Sequence, residues 1–255
     1  MTPFINTDAL KLSPSGAHLV HADSPEGELL FLSSTSKYGE GESIRGGVPI
    51  IAPWFGELLG VNPSHGWARR SLWDVQVDGT DISAAMQHEG LSLKVNVTAT
   101  NDGIAQTLEL ENISEQSHVV QLAFHPYFKV SDVEHIEIQG FDGIDLLNRA
   151  TATTEKQTGP ITFSGEFDRI ALGTPLAKIV DRERIITVRG EGYDSTVVWN
   201  PGEKLASSMA DIGPGEWRDF VCVEPALLGD DQQGVSVAPG ESITIGMAVS
   251  VEKRV

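Results

Sequence analysis

Cysteine is almost missing from this chain of 255 residues, where Cys222 stands alone. No intrachain disulfide can form, and a chain without a disulfide framework is expected in a reducing compartment, the cytoplasm. Cys222 lies within the apolar run Phe220-Val221-Cys222-Val223, a core setting rather than that of a nucleophile. Basic side chains are also scarce. Against 36 Asp and Glu there are 18 Lys and Arg, a net charge of −18. Such a field repels phosphate polymers, so neither a nucleic-acid partner nor an anionic membrane partner is expected. A small phosphorylated ligand is not excluded, because beyond a Debye length of about 8–10 Å the overall charge is screened and local arginines govern binding.

Long hydrophobic runs are missing too. No apolar stretch approaches the roughly 20 residues that span a bilayer. Met1–Leu10 has neither a basic n-region nor an apolar h-region, so no secretion signal is expected. The chain contains no P-loop, no G-x-G-x-x-G, no H-E-x-x-H, no EF-hand loop and no G-x-S-x-G. Its seven histidines are scattered, with no His-x-His pair. A tight metal site and a bound cofactor are therefore not expected. Helical periodicity of three turns or more is absent, as are heptads, repeats and low-complexity tracts.

What the chain does have is strands. Leu91, Leu93, Val95, Val97 and Ala99 alternate with Ser92, Lys94, Asn96, Thr98 and Thr100, the period-two pattern of a half-buried strand. Asn101-Asp102-Gly103 follows as a turn, with the glycine expected at positive φ, and Ile104–Leu110 runs back. Near the C-terminus Ile243, Ile245, Met247, Val249 and Val251 repeat the alternation after Pro239-Gly240. Thr151–Pro160 is the most polar gap, but the composition does not change across it. The pattern predicts an all-β chain, a large antiparallel β-sandwich or barrel, in one domain over residues 1–255.

Two segments concentrate unusual chemistry: Arg45-Gly46-Gly47-Val48-Pro49-Ile50-Ile51-Ala52-Pro53-Trp54-Phe55-Gly56 and His65-Gly66-Trp67-Ala68-Arg69. Loops rich in Gly and Pro are where a rigid β scaffold places binding groups. Arg45 and Arg69 carry planar forks suited to phosphate oxygens, though either could be an ordinary surface arginine. Trp54 and Trp67, inside these segments, are the tryptophans best placed to stack on a sugar face. In Val119–His125, period two puts Val120, Leu122 and Phe124 on one face and Val119, Gln121, Ala123 and His125 on the other, the polar one. A histidine there, just before Pro126, suits proton transfer, or it simply bonds a nearby carbonyl. Glu224 shares a face with Phe220 and Cys222, and Pro225 is expected to end that strand. It is either a solvated rim charge or a carboxylate at a cleft edge, where partial desolvation would raise its pKa.

In order along the chain, these motifs resemble those of the hexose-6-phosphate mutarotases (glucose-6-phosphate 1-epimerases) within the wider aldose 1-epimerase group. To the two segments are added Phe124-His125-Pro126-Tyr127-Phe128, Phe167-Asp168-Arg169-Ile170, Val197-Val198-Trp199-Asn200-Pro201 and Val221-Cys222-Val223-Glu224-Pro225. The resemblance implies a galactose-mutarotase-like β-sandwich and a cofactor-free isomerase of a sugar phosphate, acting as a monomer. It implies His125 as general acid, Glu224 as general base, Arg45 and Arg69 as phosphate ligands, Asp168 on sugar hydroxyls and His65 beside the ring. Ser64, Pro126, Ala171 and Gly202 depart from the family pattern and bear on sugar preference. Three other readings remain: a carbohydrate-binding or regulatory module without turnover, a glycoside hydrolase using Asp168 and Glu224, and a mutarotase of an unphosphorylated aldose.

Overall fold

The computed structural model describes residues 4–39 and 41–254, so the first three residues of the Met1–Leu10 segment lie outside it. Two eight-stranded antiparallel sheets dominate. One runs in the order Glu137–Gln139, Ala177–Val180, Arg184–Glu191, Ser242–Lys253, Gly103–Asn112, Leu91–Ala99, Asp81–His88, Asp74–Asp78. The other runs Thr153–Lys156, Asp145–Asn148, Phe167–Ala171, Ser195–Asn200, Phe220–Leu227, Leu122–Phe124, Ile50–Ile51, and Tyr127–Lys129 also pairs with Phe220–Leu227. A four-stranded sheet (Ile5–Glu28) and a two-stranded ribbon (His118–Val120 with Val235–Val237) complete the β structure. Among the described residues the longest α-helix is Gly202–Ala206. Among these residues no helix is long and apolar enough to cross a membrane.

The alternation read from sequence is what closes the sandwich. Leu91, Leu93, Val95 and Val97 are buried while Lys94 is exposed, and Ile245, Met247, Val249 and Val251 are buried on the neighbouring strand. They share one core with Leu122, Phe124, Val198, Val221 and Val223 of the second sheet. Gly103 corrects the turn reading. It does not take positive φ; it opens the strand Gly103–Asn112, and a Cβ there would lie 2.2 Å from the Val249 carbonyl oxygen. Close approach of a neighbouring strand, not turn conformation, demands the glycine.

The second sheet has a further buried face. Ile51, Ala123, Ile170, Val197 and Ala226, the alternates of the core residues, form a smaller apolar cluster with Phe55 and Leu228. The His125 side of Val119–His125 is therefore covered rather than wet, although Val119 is exposed. Gln121 is wholly buried there. Its Oε1 accepts the Phe55 N–H, and its Nε2 donates to the Leu228 and Gln232 carbonyls. The loop that follows Ile50–Ile51 is what covers this face.

Pro225 does not end its strand, which runs from Phe220 to Leu227. Its partners toward Leu122–Lys129 are interrupted instead. Leu122 faces Leu227 and Ala123 faces Ala226; then, after a gap, Tyr127 faces Cys222 and Phe128 faces Val221. Pro126 and Pro225, each without an N–H, fall in the gap, where ladder hydrogen bonds cannot form. Counting inward from either side puts His125 directly across from Glu224.

Candidate active site

The ladder gap lays the two side chains against each other. His125 Nε2 lies 3.4 Å from Glu224 Oε1, with the residues 8% and 1% exposed. Neither His125 Nδ1 nor Glu224 Oε2 has a hydrogen-bond partner in the protein. An orphaned carboxylate oxygen this deeply buried is costly unless a ligand fills the space. Glu224 is no rim charge, and the Nε2 of His125 faces the Glu224 carboxylate. The imidazole stacks on Tyr127 at 4.9 Å and 10°, and meets Trp199 edge-on at 5.8 Å.

These groups open into a cavity of about 270 Å³, bounded also by Arg45, Phe55, Ser64, His65, Arg69, Arg149, Val197 and Met209. That is at the small end of small-molecule sites, which run to roughly 300–1,000 Å³. Arg45 is aimed by the strand beside it. His125 N–H bonds the Pro49 carbonyl and Tyr127 N–H the Gly47 carbonyl, so the Arg45–Ile51 segment tracks the edge of the His125 strand. The Gly47 position admits no side chain: φ is +62°, and a Cβ would lie 2.2 Å from the Leu19 carbonyl oxygen. Arg45 donates through Nη1 to the Tyr127 hydroxyl (2.7 Å) and through Nε and Nη2 to Asp211. Burial works against its charge, but Tyr127 and Asp211 hold it firmly protonated.

The second segment folds back under the first. Ala68 N–H bonds the Ala52 carbonyl, and His65 and Gly56 clasp each other through His65 N–H to Gly56 O and Gly56 N–H to His65 Nδ1. Since Nδ1 accepts, the ring proton of neutral His65 sits on Nε2. His65 itself has φ +65°, a left-handed conformation that non-glycine residues adopt at a cost of about 1–3 kcal/mol. Arg69 stands close by. Its Nη2 donates to the Ser64 carbonyl at 2.9 Å, its Nε has no acceptor, and among the described residues it forms no ion pair. Burial, with repulsion from Arg70 and Arg45 added, pushes its pKa down to about 10.

The electrostatics are those of a positively biased pocket. Burial first, then His65, Arg45 and Arg69, hold His125 well below the usual imidazole range. Burial likewise lowers His65, with help from Arg69, Arg149, Arg45 and Arg70. Glu224 is raised well above the carboxylate range by burial and then by Asp168, against the opposing pull of Arg149. Both directions place the proton that the pair shares on Glu224, beside a neutral imidazole. Cys222 lies within 4.8 Å of both groups, but burial and the neighbouring Glu224 push its thiol up, leaving a neutral sulfur in the floor. A sulfur held neutral, beneath a cavity walled by three arginines, is a poor metal ligand.

Five of the six residues singled out from sequence, His125, Glu224, Arg45, His65 and Arg69, line this one cavity. Asp168 does not. Its carboxylate pairs with Arg149 at 3.2 Å and faces a neighbouring cavity of about 430 Å³ that shares the Arg149 wall. The pairing of Asp145–Asn148 with Phe167–Ala171 sets this, because Arg149 follows Asn148, which faces Arg169. Arg149 escaped the sequence reading since only that pairing brings it to the site. The tryptophans differ from expectation as well. Trp54 donates to the Pro63 carbonyl, and Trp67 is buried with its indole N–H on Glu89; Trp199 is the indole that lines the cavity. Trp199 lies two residues from Val197 on a strand paired with Phe220–Leu227, so period two carries it to the Glu224 face.

With this geometry in place, comparison with known proteins is decisive. The family model for aldose 1-epimerases matches residues 6–250. The chain belongs to the aldose 1-epimerase family. Among relatives of this epimerase, a protein of Cenchrus ciliaris provisionally named glucose-6-phosphate 1-epimerase is 31% identical, over 84% of this chain and 72% of its own length. An Escherichia coli K12 protein with the same provisional name is 29% identical over 94% of this chain and 85% of its own. Among solved structures, YeaD from Salmonella typhimurium, provisionally described as a mutarotase, superposes with a TM-score of 0.84 at 26% identity, covering 98% of this chain and 90% of that one. The epimerase thus has the nearly all-β fold that its strands predict, of the galactose-mutarotase-like kind that the resemblance implies.

Proposed function

We propose that this epimerase interconverts the α and β anomers of a hexose 6-phosphate, glucose 6-phosphate being the first candidate, with His125 and Glu224 as the acid–base pair. The observation that carries the reading is the pair itself: imidazole and carboxylate 3.4 Å apart, in a cavity that also presents arginines. The relatives provisionally named glucose-6-phosphate 1-epimerase support the substrate class. One continuous core running from Leu10 to Val251 supports treating the chain as one domain.

The reaction needs one proton taken and one given. The proton that the pair shares first passes to His125, and Glu224, then ionised, accepts the proton of the anomeric O1 hydroxyl as the C1–O1 double bond forms. The C1–O5 bond breaks, its electron pair goes to O5, and His125 protonates that oxygen. Rotation about C1–C2 presents the other carbonyl face, and the reverse transfers close the ring as the opposite anomer. Each positioned transfer contributes about 10²–10⁴-fold. Arg69 is the cation best placed for the phosphate, because its Nε is unpaired and, among the described residues, no carboxylate forms an ion pair with it. Arg45 is available once Asp211 releases it, and His65 Nε2–H supplies a neutral donor to sugar oxygens. Asp168 acts through Arg149, which it holds in the wall, rather than on the sugar directly.

Two-dimensional NMR exchange between the anomers of glucose 6-phosphate tests this. Exchange accelerated by the protein and lost in Glu224→Gln supports it; unchanged exchange in that variant contradicts it. The glycoside-cleaving alternative lacks support, since the second carboxylate it needs is locked to Arg149 outside the cavity.

A further inference from the structure

Arg149 is the residue that the acid–base cavity and its neighbour have in common. Its Nη1 donates to the Asp168 carboxylate at 3.2 and 3.4 Å, and that carboxylate lines only the neighbouring cavity. The guanidinium therefore stands between the acid–base pair and its own counter-charge. Among the described residues its Nη2 and Nε donate to no acceptor. Its position is nonetheless fixed. The guanidinium carbon lies 5.5 Å from the centre of the Phe55 ring, and a Cβ on Gly56 would come within 3.0 Å of Nη2.

The order of strands says which part of a sugar this cation meets. From Ile50–Ile51 the second sheet passes to Leu122–Phe124, which His125 follows, and then to Phe220–Leu227 with Glu224. Ser195–Asn200, Phe167–Ala171 and Asp145–Asn148 come next, and Arg149 follows Asn148. At about 4.8 Å per strand its backbone stands about 14 Å beyond that of Glu224, on the side away from His125. The side chain reaches back to Asp168 on the strand between. Arg45 and Arg69 come from the opposite margin: Arg45 lies on the segment that runs into Ile50–Ile51, and Ala68, next to Arg69, bonds the Ala52 carbonyl.

A pyranose with O5 at His125 and O1 at Glu224 has one sense along this line. C5, which carries C6 and the phosphate, is bonded to O5. C2 is bonded to C1 and sits across the ring from C5. With the phosphate toward Arg45 and Arg69, the C2 substituent is turned toward Arg149. An oxygen there has lone pairs for the free N–H groups of Arg149; an ammonium has none and brings a like charge.

We propose that Arg149 is a specificity-determining residue that reads the C2 substituent, so that the epimerase takes 2-hydroxy hexose 6-phosphates and turns away 2-amino-2-deoxy hexose 6-phosphates. This rests on the reading given under Proposed function.

The probes are glucose 6-phosphate, 2-deoxyglucose 6-phosphate and glucosamine 6-phosphate, the last at a pH where its amine is protonated. Anomer exchange by the full chain is measured by NMR against protein-free blanks. The expected kcat/KM falls in that order, with the ammonium sugar at least about 10-fold below the 2-deoxy sugar. Arg149→Met uncovers the Asp168 carboxylate, and the gap between those two sugars should close or reverse. Asp168→Asn leaves the guanidinium without its counter-charge, and the gap should widen. Opposite shifts from the two halves of one ion pair are not produced by a structural role, which would scale all three sugars alike. A parent protein that exchanges glucosamine 6-phosphate as fast as the 2-deoxy sugar would overturn the proposal, as would a gap that survives in Arg149→Met. Should Arg149→Met not fold, an unchanged or narrower gap in Asp168→Asn overturns it. In each case exchange of glucose 6-phosphate by the parent protein leaves the earlier reading standing. No exchange of glucose 6-phosphate would remove that reading, and this proposal with it.

Discussion

Replacing Arg69 with methionine separates what the guanidinium does for a ligand from what it does for the fold. Its pKa falls from the ordinary arginine value to about 10, chiefly through burial. At 1.36 kcal/mol per unit, holding that buried charge costs about 3 kcal/mol. The folded value is the lower one, so the penalty is present in full at every pH below about 10 and lifts only as pH rises beyond it. Methionine has similar reach and no charge. It forfeits the hydrogen bond to Ser64 O, worth about 1.5 kcal/mol. The variant should therefore be more stable than the parent by about 2 kcal/mol, or roughly 4–8 °C in Tm for a chain of this size. Its effect on the ligand is the opposite. Truncating one side of a buried charge pair costs about 2–5 kcal/mol, so kcat/KM for glucose 6-phosphate should fall by roughly 30-fold to several thousand-fold. For glucose the change should stay within about 10-fold, since no phosphate is present. Thermal unfolding without added anions, together with anomer exchange of both sugars, reads all three numbers. A variant that loses more than about 1 kcal/mol of stability and equal activity toward both sugars would show Arg69 to be a structural residue, and the phosphate assignment would fall.

Other outcomes follow from the same geometry. Glu224→Gln keeps the shape of the floor and removes the base, so exchange of glucose 6-phosphate should drop about 10²–10⁴-fold while isothermal titration still shows the sugar phosphate bound. Asp211→Asn releases Arg45 from its carboxylate, and sulfate should bind several-fold more tightly to that variant by the same titration. His18, buried against the Gly46 carbonyl, has its pKa lowered to about 4. The unfolded chain takes up that proton first as pH falls, so urea unfolding should show about 3 kcal/mol lost between pH 6.5 and 4, with His65 and His125 adding loss of the same sign. Glu224 has the reverse sign. Its folded pKa is raised, so its contribution is fully present below the unfolded carboxylate value and is lost as pH rises through the folded one. The stability gained by Glu224→Gln over the parent should therefore grow as pH increases from about 4.5.

Much of this architecture was legible because period two is a local property. Leu91–Ala99 and Ser242–Lys253 bury the residues their alternation marks, all but the partly buried Ala99 and Ile243 at their ends, and the same parity rule carries His125, Glu224 and Trp199 to one face. Inference weakened where meaning depends on a neighbouring strand. Pro225 looked like a terminus, yet a proline is tolerated in mid-strand when the facing ladder is already open, as it is beside His125 and Pro126. Gly103 looked like a turn residue and proved to be a point of close strand approach. Arg149 and Asp211 were invisible for a related reason. Each owes its role to an ion pair across long sequence separation, with Asp168 from another strand and with Arg45 from a loop 166 residues away. The signature segments were readable as loops with functional content, but which of their aromatics face the cavity was settled by the covering loop, which turns Trp54 and Trp67 away and leaves Phe55 in place.

The central claim is that His125 and Glu224, brought face to face by a break in one β-ladder, exchange protons with opposite edges of a sugar phosphate ring. Two-dimensional exchange NMR at the α and β anomeric signals, with glucose 6-phosphate and glucose run side by side, tests it most directly. Protein-dependent cross-peaks that build much faster for the phosphate and vanish in both His125→Asn and Glu224→Gln are the expected result. Cross-peaks for glucose 6-phosphate that persist at full strength in either variant would contradict it.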